Sequence, residues 1–189
     1  LLLLLLQVEQ NKLQIEEPIM FYVLTGGPCC GKTTQIKRLA ELGYWTLPES
    51  SAQLIQEGES HPLKCLREFQ LALWQRQAAQ EAVAAARSSE LNEPVFLDRS
   101  LLDGIAYMRT CGHEVPDFMH QVSTRHYRAA FILSTLETWV DDGIRFESAE
   151  FSRSIASQIA IVYQEKNVQT YFVPALPIAE VTQFILALI

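Results

Sequence analysis

Residues Gly26-Gly27-Pro28-Cys29-Cys30-Gly31-Lys32-Thr33-Thr34 satisfy the spacing G-x-x-x-x-G-K-[ST] from Gly26 to Thr33, directly after the apolar run Ile19 to Leu24. That spacing suits the phosphates of a nucleoside triphosphate. A loop that curls around a phosphate must aim its backbone N–H groups inward, and side chains at Gly26 and Gly31 would obstruct it. Lys32 is then placed to reach the β- and γ-phosphates. Thr33 offers a hydroxyl to Mg²⁺, and a helix opening at Gly31 turns its positive end toward the same anion.

Three further stretches carry residues of the right chemistry. In Pro48-Glu49-Ser50-Ser51, Glu49 follows an apolar run and can receive a proton from a substrate hydroxyl; it can equally stabilise a helix N-terminus. In Val95-Phe96-Leu97-Asp98-Arg99-Ser100, Asp98 is placed to hold Mg²⁺ and Arg99 to fork onto phosphate or carboxylate oxygens. Asp103 is read as a cap for the helix that follows. The polar, glycine-containing stretch Thr135 to Phe146 has the composition of a lid, with Arg145 as a candidate to neutralise the transferred phosphoryl group and Arg153 as a second. Trp139 is read as an anchor for that lid.

The elements that must position these groups alternate in type. Short apolar runs at Met20–Leu24, Tyr44–Leu47, Val95–Leu97, Ala130–Leu133 and Thr170–Val173 read as strands. Helical patterns cover Lys32–Leu42, Ser50–Glu57, Pro62–Ser88, Leu101–Thr110, Ala149–Lys166 and Ile178–Ile189. Such alternation implies an α/β fold with a parallel sheet covered on both faces, and ligands in such sheets lie beyond the carboxyl ends of the strands. All four chemical stretches fall just after a strand. In the Pro62–Ser88 helix, Phe69, Gln70, Trp74 and Gln77 are candidates for an acceptor pocket, although Leu66, Phe69, Leu73 and Gln77 share a face and core packing is the preferred reading.

The chain has 189 residues, enough for one sizeable core, and residues 19–189 are taken as a single domain. A net charge of −7 argues against a general nucleic-acid binder, which needs a basic face. Residues 1–18 begin with six leucines, far short of the roughly 20 that span a bilayer. They are read as an N-terminal extension, truncated or artificially added, and no integral membrane segment is expected. Cys29, Cys30, Cys65 and Cys111 form no C-x-x-C pair, so a reducing, cytoplasmic compartment is expected.

These residues together resemble the AAA_28 family, which is similar to nicotinamide riboside kinase domains and, more broadly, to thymidylate and deoxynucleoside kinases. The likeness is carried by Gly26–Thr34, Pro48–Ser51, Phe96–Tyr107, Asp142–Glu147 and Tyr171–Ala175, and spans residues 20–189. It implies a P-loop fold of the nucleoside/nucleotide-kinase type, with a five-stranded parallel sheet flanked by helices. It also implies ATP or GTP as donor with Mg²⁺. By motif position, Glu49 corresponds to the family's base, Asp98 and Arg99 to its Asp-Arg strand end, and Arg145 to its lid arginine. No arginine finger or sensor pattern of ring ATPases is present. The expected activity is transfer of a γ-phosphoryl group to a small-molecule hydroxyl or phosphate of nucleoside, nucleotide or nicotinamide riboside type. A nucleotide-dependent switch and a triphosphate hydrolase are the alternatives.

Two cysteines inside the loop are a departure from that pattern, and they are read as small residues tolerated where the backbone does the binding. Mild peroxide should therefore leave triphosphate affinity unchanged. A loss of binding that a thiol reductant restores would instead make the pair an oxidation switch.

Overall fold

The computed structural model describes residues 20–28, 30–51, 54, 66–91, 93–134 and 149–189. Within them run β1 (Phe21–Thr25), α1 (Lys32–Glu41), β2 (Trp45–Leu47), α2 (Arg67–Leu91), β3 (Val95–Asp98), α3 (Leu101–Thr110), α4 (Asp117–His120), β4 (Tyr127–Leu133), α5 (Ala149–Glu165), β5 (Thr170–Val173) and α6 (Ile178–Leu186). The strands form one parallel sheet in the order β2-β3-β1-β4-β5.

Side chains on a strand alternate between faces, and here each face has its own apolar layer. Phe21, Val23, Val95 and Leu97 point to one side, where α3 and α5 supply Leu102, Ile105, Ile155 and Ile159. Leu24, Phe96, Phe131 and Leu133 point to the other, against Ile36 and Leu39 of α1 and Val181 and Ile185 of α6. In α1 the buried positions are Lys32, Gln35, Ile36 and Leu39, the i, i+3, i+4, i+7 stripe of a helix lying on a sheet. Gln35 ties α1 to α6, donating to Ile178 O at 3.0 Å and accepting from Thr182 Oγ1 at 2.8 Å.

Five strands at the expected places follow from their short apolar runs. The fourth begins three residues earlier than expected, because the exposed charge of Arg128 interrupts the apolar pattern while Tyr127 and Ala129 remain buried beside β1. The short helix α4 was not anticipated. The helix expected over Ser50–Glu57 lies largely outside the described residues, as do residues 1–18.

Helices α2 and α3 approach closely at Gly104. A Cβ there would sit 2.7 Å from Trp74 Cδ1 and 3.3 Å from Met119 Cε. Alanine normally gains about 1 kcal/mol over glycine inside a helix, but overpacking against a rigid indole costs about 1–3 kcal/mol. The steric cost should win. Gly104→Ala is expected to lower the unfolding free energy in chemical denaturation, and an unchanged or raised midpoint would show that Trp74 moves aside freely.

Candidate functional site

The strand ends deliver the site. After β1 the chain turns through Gly26, Gly27 and Pro28 and reaches Gly31, whose φ of 84° is a left-handed conformation available to glycine at little cost. α1 starts at the next residue. Lys32 is 5% exposed and folds back over the loop, its Nζ donating to Gly27 O at 2.8 Å and Gly26 O at 3.3 Å, and contacting Cys30 Sγ at 3.3 Å. A Cβ on Gly27 would lie 2.6 Å from Ser152 O, so the first turns of α5 rest directly on the loop. Ser152 Oγ also donates to Pro28 O at 3.2 Å. Cys29 lies outside the described residues.

At the end of β3, Thr33 Oγ1 donates to Asp98 Oδ2 at 3.0 Å. The other oxygen, Oδ1, is buried and takes no hydrogen bond among the described residues. Burial, reinforced by the charge of Glu49, pushes the Asp98 carboxyl up to about 6, although Lys32, Arg99 and the Thr33 hydrogen bond pull the other way. A hydroxyl beside a carboxylate with a spare lone pair is a hard-oxygen donor set that fits Mg²⁺.

Arg99 has φ 71°, unusual for a non-glycine residue, and its N–H donates to Leu24 O at 3.0 Å. The side chain is swept back across the strand ends. Nε donates to Glu49 Oε1 at 3.1 Å, and Nη1 donates to Gly26 O and to Asp103 Oδ1, each at 3.2 Å. Burial opposes its charge, but Tyr107, Glu49, Asp103 and Asp98 outweigh that cost and hold the guanidinium protonated. Glu49 is held on the loop after β2, and its neighbour Ser50 donates to Gln80 Oε1 on α2. Lys32, Thr33, Glu49, Asp98 and Arg99, each singled out in the sequence, converge at the strand ends.

Asp103 does more than the capping expected of it. It completes a capping box with Ser100, and its carboxylate also accepts from Thr25 Oγ1, from Arg99 and from Tyr163 Oη at 2.7 Å. The Ser100-x-x-Asp103 spacing signalled the cap; nothing local signalled Thr25 or Tyr163, which lie 78 and 60 residues away.

Beside Glu49 and Arg99 opens a cleft. Its walls include Phe69, Gln70, Trp74 and Gln77 of α2 with Tyr107 of α3. Core packing and pocket lining are not alternatives here: Phe69, Gln70 and Gln77 are buried and also face the cleft. Arg145 and Trp139 lie outside the described residues, whereas Arg153 is exposed on α5. Cys30 is a buried free thiol. Cys111 is disulfide-bonded, contrary to the expectation of wholly reduced cysteines, because spacing along the chain does not reveal pairing across the fold. Among the described residues no helix is long and apolar enough to cross a membrane.

A parallel sheet ordered 2-3-1-4-5, with a phosphate loop after its central strand and an Asp-Arg pair after the neighbouring one, defines a P-loop protein with the fold of nucleoside and nucleotide kinases. The chain belongs to the AAA_28 family, an AAA domain family that it matches over residues 21–180. The thymidylate kinase of Ehrlichia chaffeensis superposes with a TM-score of 0.65 at 17% identity, over 89% of this chain and 97% of that one. Deoxyadenosine kinase from M. mycoides gives 0.57 at 14% identity, over 89% and 97%. The NadR protein in complex with NR gives 0.60 at 16%, over 81% of this chain and 45% of that longer one. No curated protein sequence matches.

The raised Asp98 pKa carries a stability consequence with a definite sign. The folded state holds this proton more tightly than the unfolded chain, so the associated stability is present below about pH 4 and is lost as the pH rises through about 6. In metal-free buffer the melting temperature of the parent should fall relative to Asp98→Asn across that interval. Parallel melting curves for the two proteins would show that Asp98 titrates as an exposed carboxylate.

Proposed function

We propose that this protein is a small-molecule kinase that moves the γ-phosphoryl group of ATP or GTP to a hydroxyl or phosphate oxygen of an acceptor. The observation that carries this reading is the Glu49–Arg99 pair, at 3.1 Å, standing between the phosphate loop and a second cleft. A switch or a simple hydrolase has no need of that second cleft. Its aromatic and amide lining suits a flat ring with a hydrogen-bonding edge. An acceptor of nucleoside, nucleotide or nicotinamide riboside type also agrees with the fold shared with a thymidylate kinase, a deoxyadenosine kinase and an NR-bound protein.

In this reading the loop amides between Gly26 and Thr34, together with Lys32, hold the β- and γ-phosphates of the donor. Thr33 and Asp98 would hold Mg²⁺, which when bound supplies neutralising charge at the phosphates. Glu49 orients the acceptor hydroxyl and takes its proton. The acceptor oxygen forms a bond to the γ-phosphorus while the β–γ bridging bond breaks, and the nucleoside diphosphate leaves with that electron pair. Lys32, Arg99 and Arg145 stabilise the charge spread over the equatorial oxygens.

Formation of ADP and GDP from the two triphosphates with Mg²⁺, with and without a pool of nucleosides, nucleoside monophosphates and nicotinamide riboside, tests the reading. Turnover should rise with the pool, vanish in Lys32→Ala together with tight triphosphate binding, and fall by about 10²–10⁴-fold in Glu49→Gln with binding retained. Turnover indifferent to every acceptor would make the protein a hydrolase, and binding with almost no turnover would make it a nucleotide switch. Parent-like turnover in Glu49→Gln would remove Glu49 from its role as base.

A further inference from the structure

Glu81, in the middle of α2, is 6% exposed and has no part in the chemistry just described. Both of its oxygens are engaged. Oε1 accepts from Leu101 N at 3.1 Å and from Gln77 Nε2 at 2.9 Å, and Oε2 accepts from Tyr127 Oη at 2.6 Å. Gln77 Nε2 also reaches Arg99 O at 3.3 Å. One carboxylate thus grips both ends of the turn that follows β3: the N–H of Leu101 directly, and the carbonyl of Arg99 through Gln77.

That turn needs holding. Arg99 carries the left-handed φ of 71°, which a residue with a Cβ adopts only when its surroundings over-determine it. In its actual place the guanidinium spans Glu49, Gly26 O and Asp103. A relaxed turn would re-aim the side chain away from the strand ends, and misplacement of a charge-stabilising group by about 1 Å can cost roughly 10²-fold in rate.

We propose that Glu81 is a positioning residue for Arg99, clamping the Arg99–Leu101 turn from behind so that the guanidinium is fixed against Glu49 and the phosphate loop. The consequence for turnover rests on the role given to Arg99 above, whereas the clamp itself does not. Burial, opposed by its three hydrogen bonds and aided by the charge of Asp103, pushes the Glu81 carboxyl up to about 7. The groups around it are Tyr127 from β4, Gln77 on its own helix, and Leu101 N–H and Asp103 from α3. His126 lines the same cavity. A proton taken up at Oε2 lets the Tyr127 hydroxyl turn and accept, leaving Oε1 to hold Leu101 and Gln77 as a neutral, weaker acceptor. The grip therefore tightens as the pH rises through neutrality.

The test uses the full chain with Glu81→Gln and Glu81→Leu. The Nε–H resonance of Arg99, assigned with Arg99→Lys, is followed from about pH 6 to 8, beside triphosphate affinity and acceptor-dependent turnover. The parent resonance should titrate near neutrality, and Glu81→Gln should remove that step while leaving only the change near pH 6 that comes from Asp98. Turnover should fall about tenfold or more in Glu81→Leu and recover in part in Glu81→Gln, with acceptor KM little changed. If Glu81→Leu does not fold, Glu81→Gln alone decides. An Arg99 resonance with the parent's position and pH profile in a folded Glu81 variant overturns the clamp. A parent without acceptor-dependent turnover overturns the kinase reading instead, and the resonance still judges the clamp.

Discussion

The strand ends beside the phosphate loop are tied together by the buried carboxylate of Asp103. At 2% exposure it would cost several kcal/mol if left alone. Arg99 and the donors from Thr25, Ser100 and Tyr163 offset that cost. Those partners come from the end of β1, the turn after β3 and the long helix α5, so one side chain joins three elements that the sheet alone would leave adjustable. The arrangement works because no bond is spare: losing any partner leaves a charge or a donor in a place water does not reach.

The same economy explains how a chain with a net charge of −7 can accommodate a strongly anionic ligand. Lys32 and Arg99 are buried and meet loop carbonyls or the carboxylates of Glu49 and Asp103, so their charge is balanced locally rather than spread over the surface. Attraction for an anion is then confined to a few atoms within the loop, where the backbone amides and the N-terminus of α1 add to it. Affinity for extended polyanions needs a basic surface instead.

The layout of the fold was legible because its signals are local. The strands are short runs buried on both faces, α1 carries its stripe at 3.6-residue spacing, and the loop needs its glycines in consecutive order. That Glu49, Asp98 and Arg99 lie together could be foreseen because a parallel sheet puts strand ends at one edge, so sequence position stood in for spatial position. Glu81, Tyr127 and Tyr163 could not. Their importance comes from hydrogen bonds across 20 to 60 residues of chain, and an isolated glutamate or tyrosine on a helix or strand carries no pattern that distinguishes such a partner from a solvated one. The left-handed turn at Arg99 was equally hidden, since arginine does not advertise a positive φ as glycine does.

The two glycines that open the loop are pressed from both sides: a Cβ on Gly26 would lie 2.6 Å from Leu133 O, and one on Gly27 would lie 2.6 Å from Ser152 O. The end of β4 and the start of α5 are therefore moored to the same two residues. A side chain at either position would have to push that strand or helix away, so the sheet edge and the helix can shift only as one body with the loop they press on.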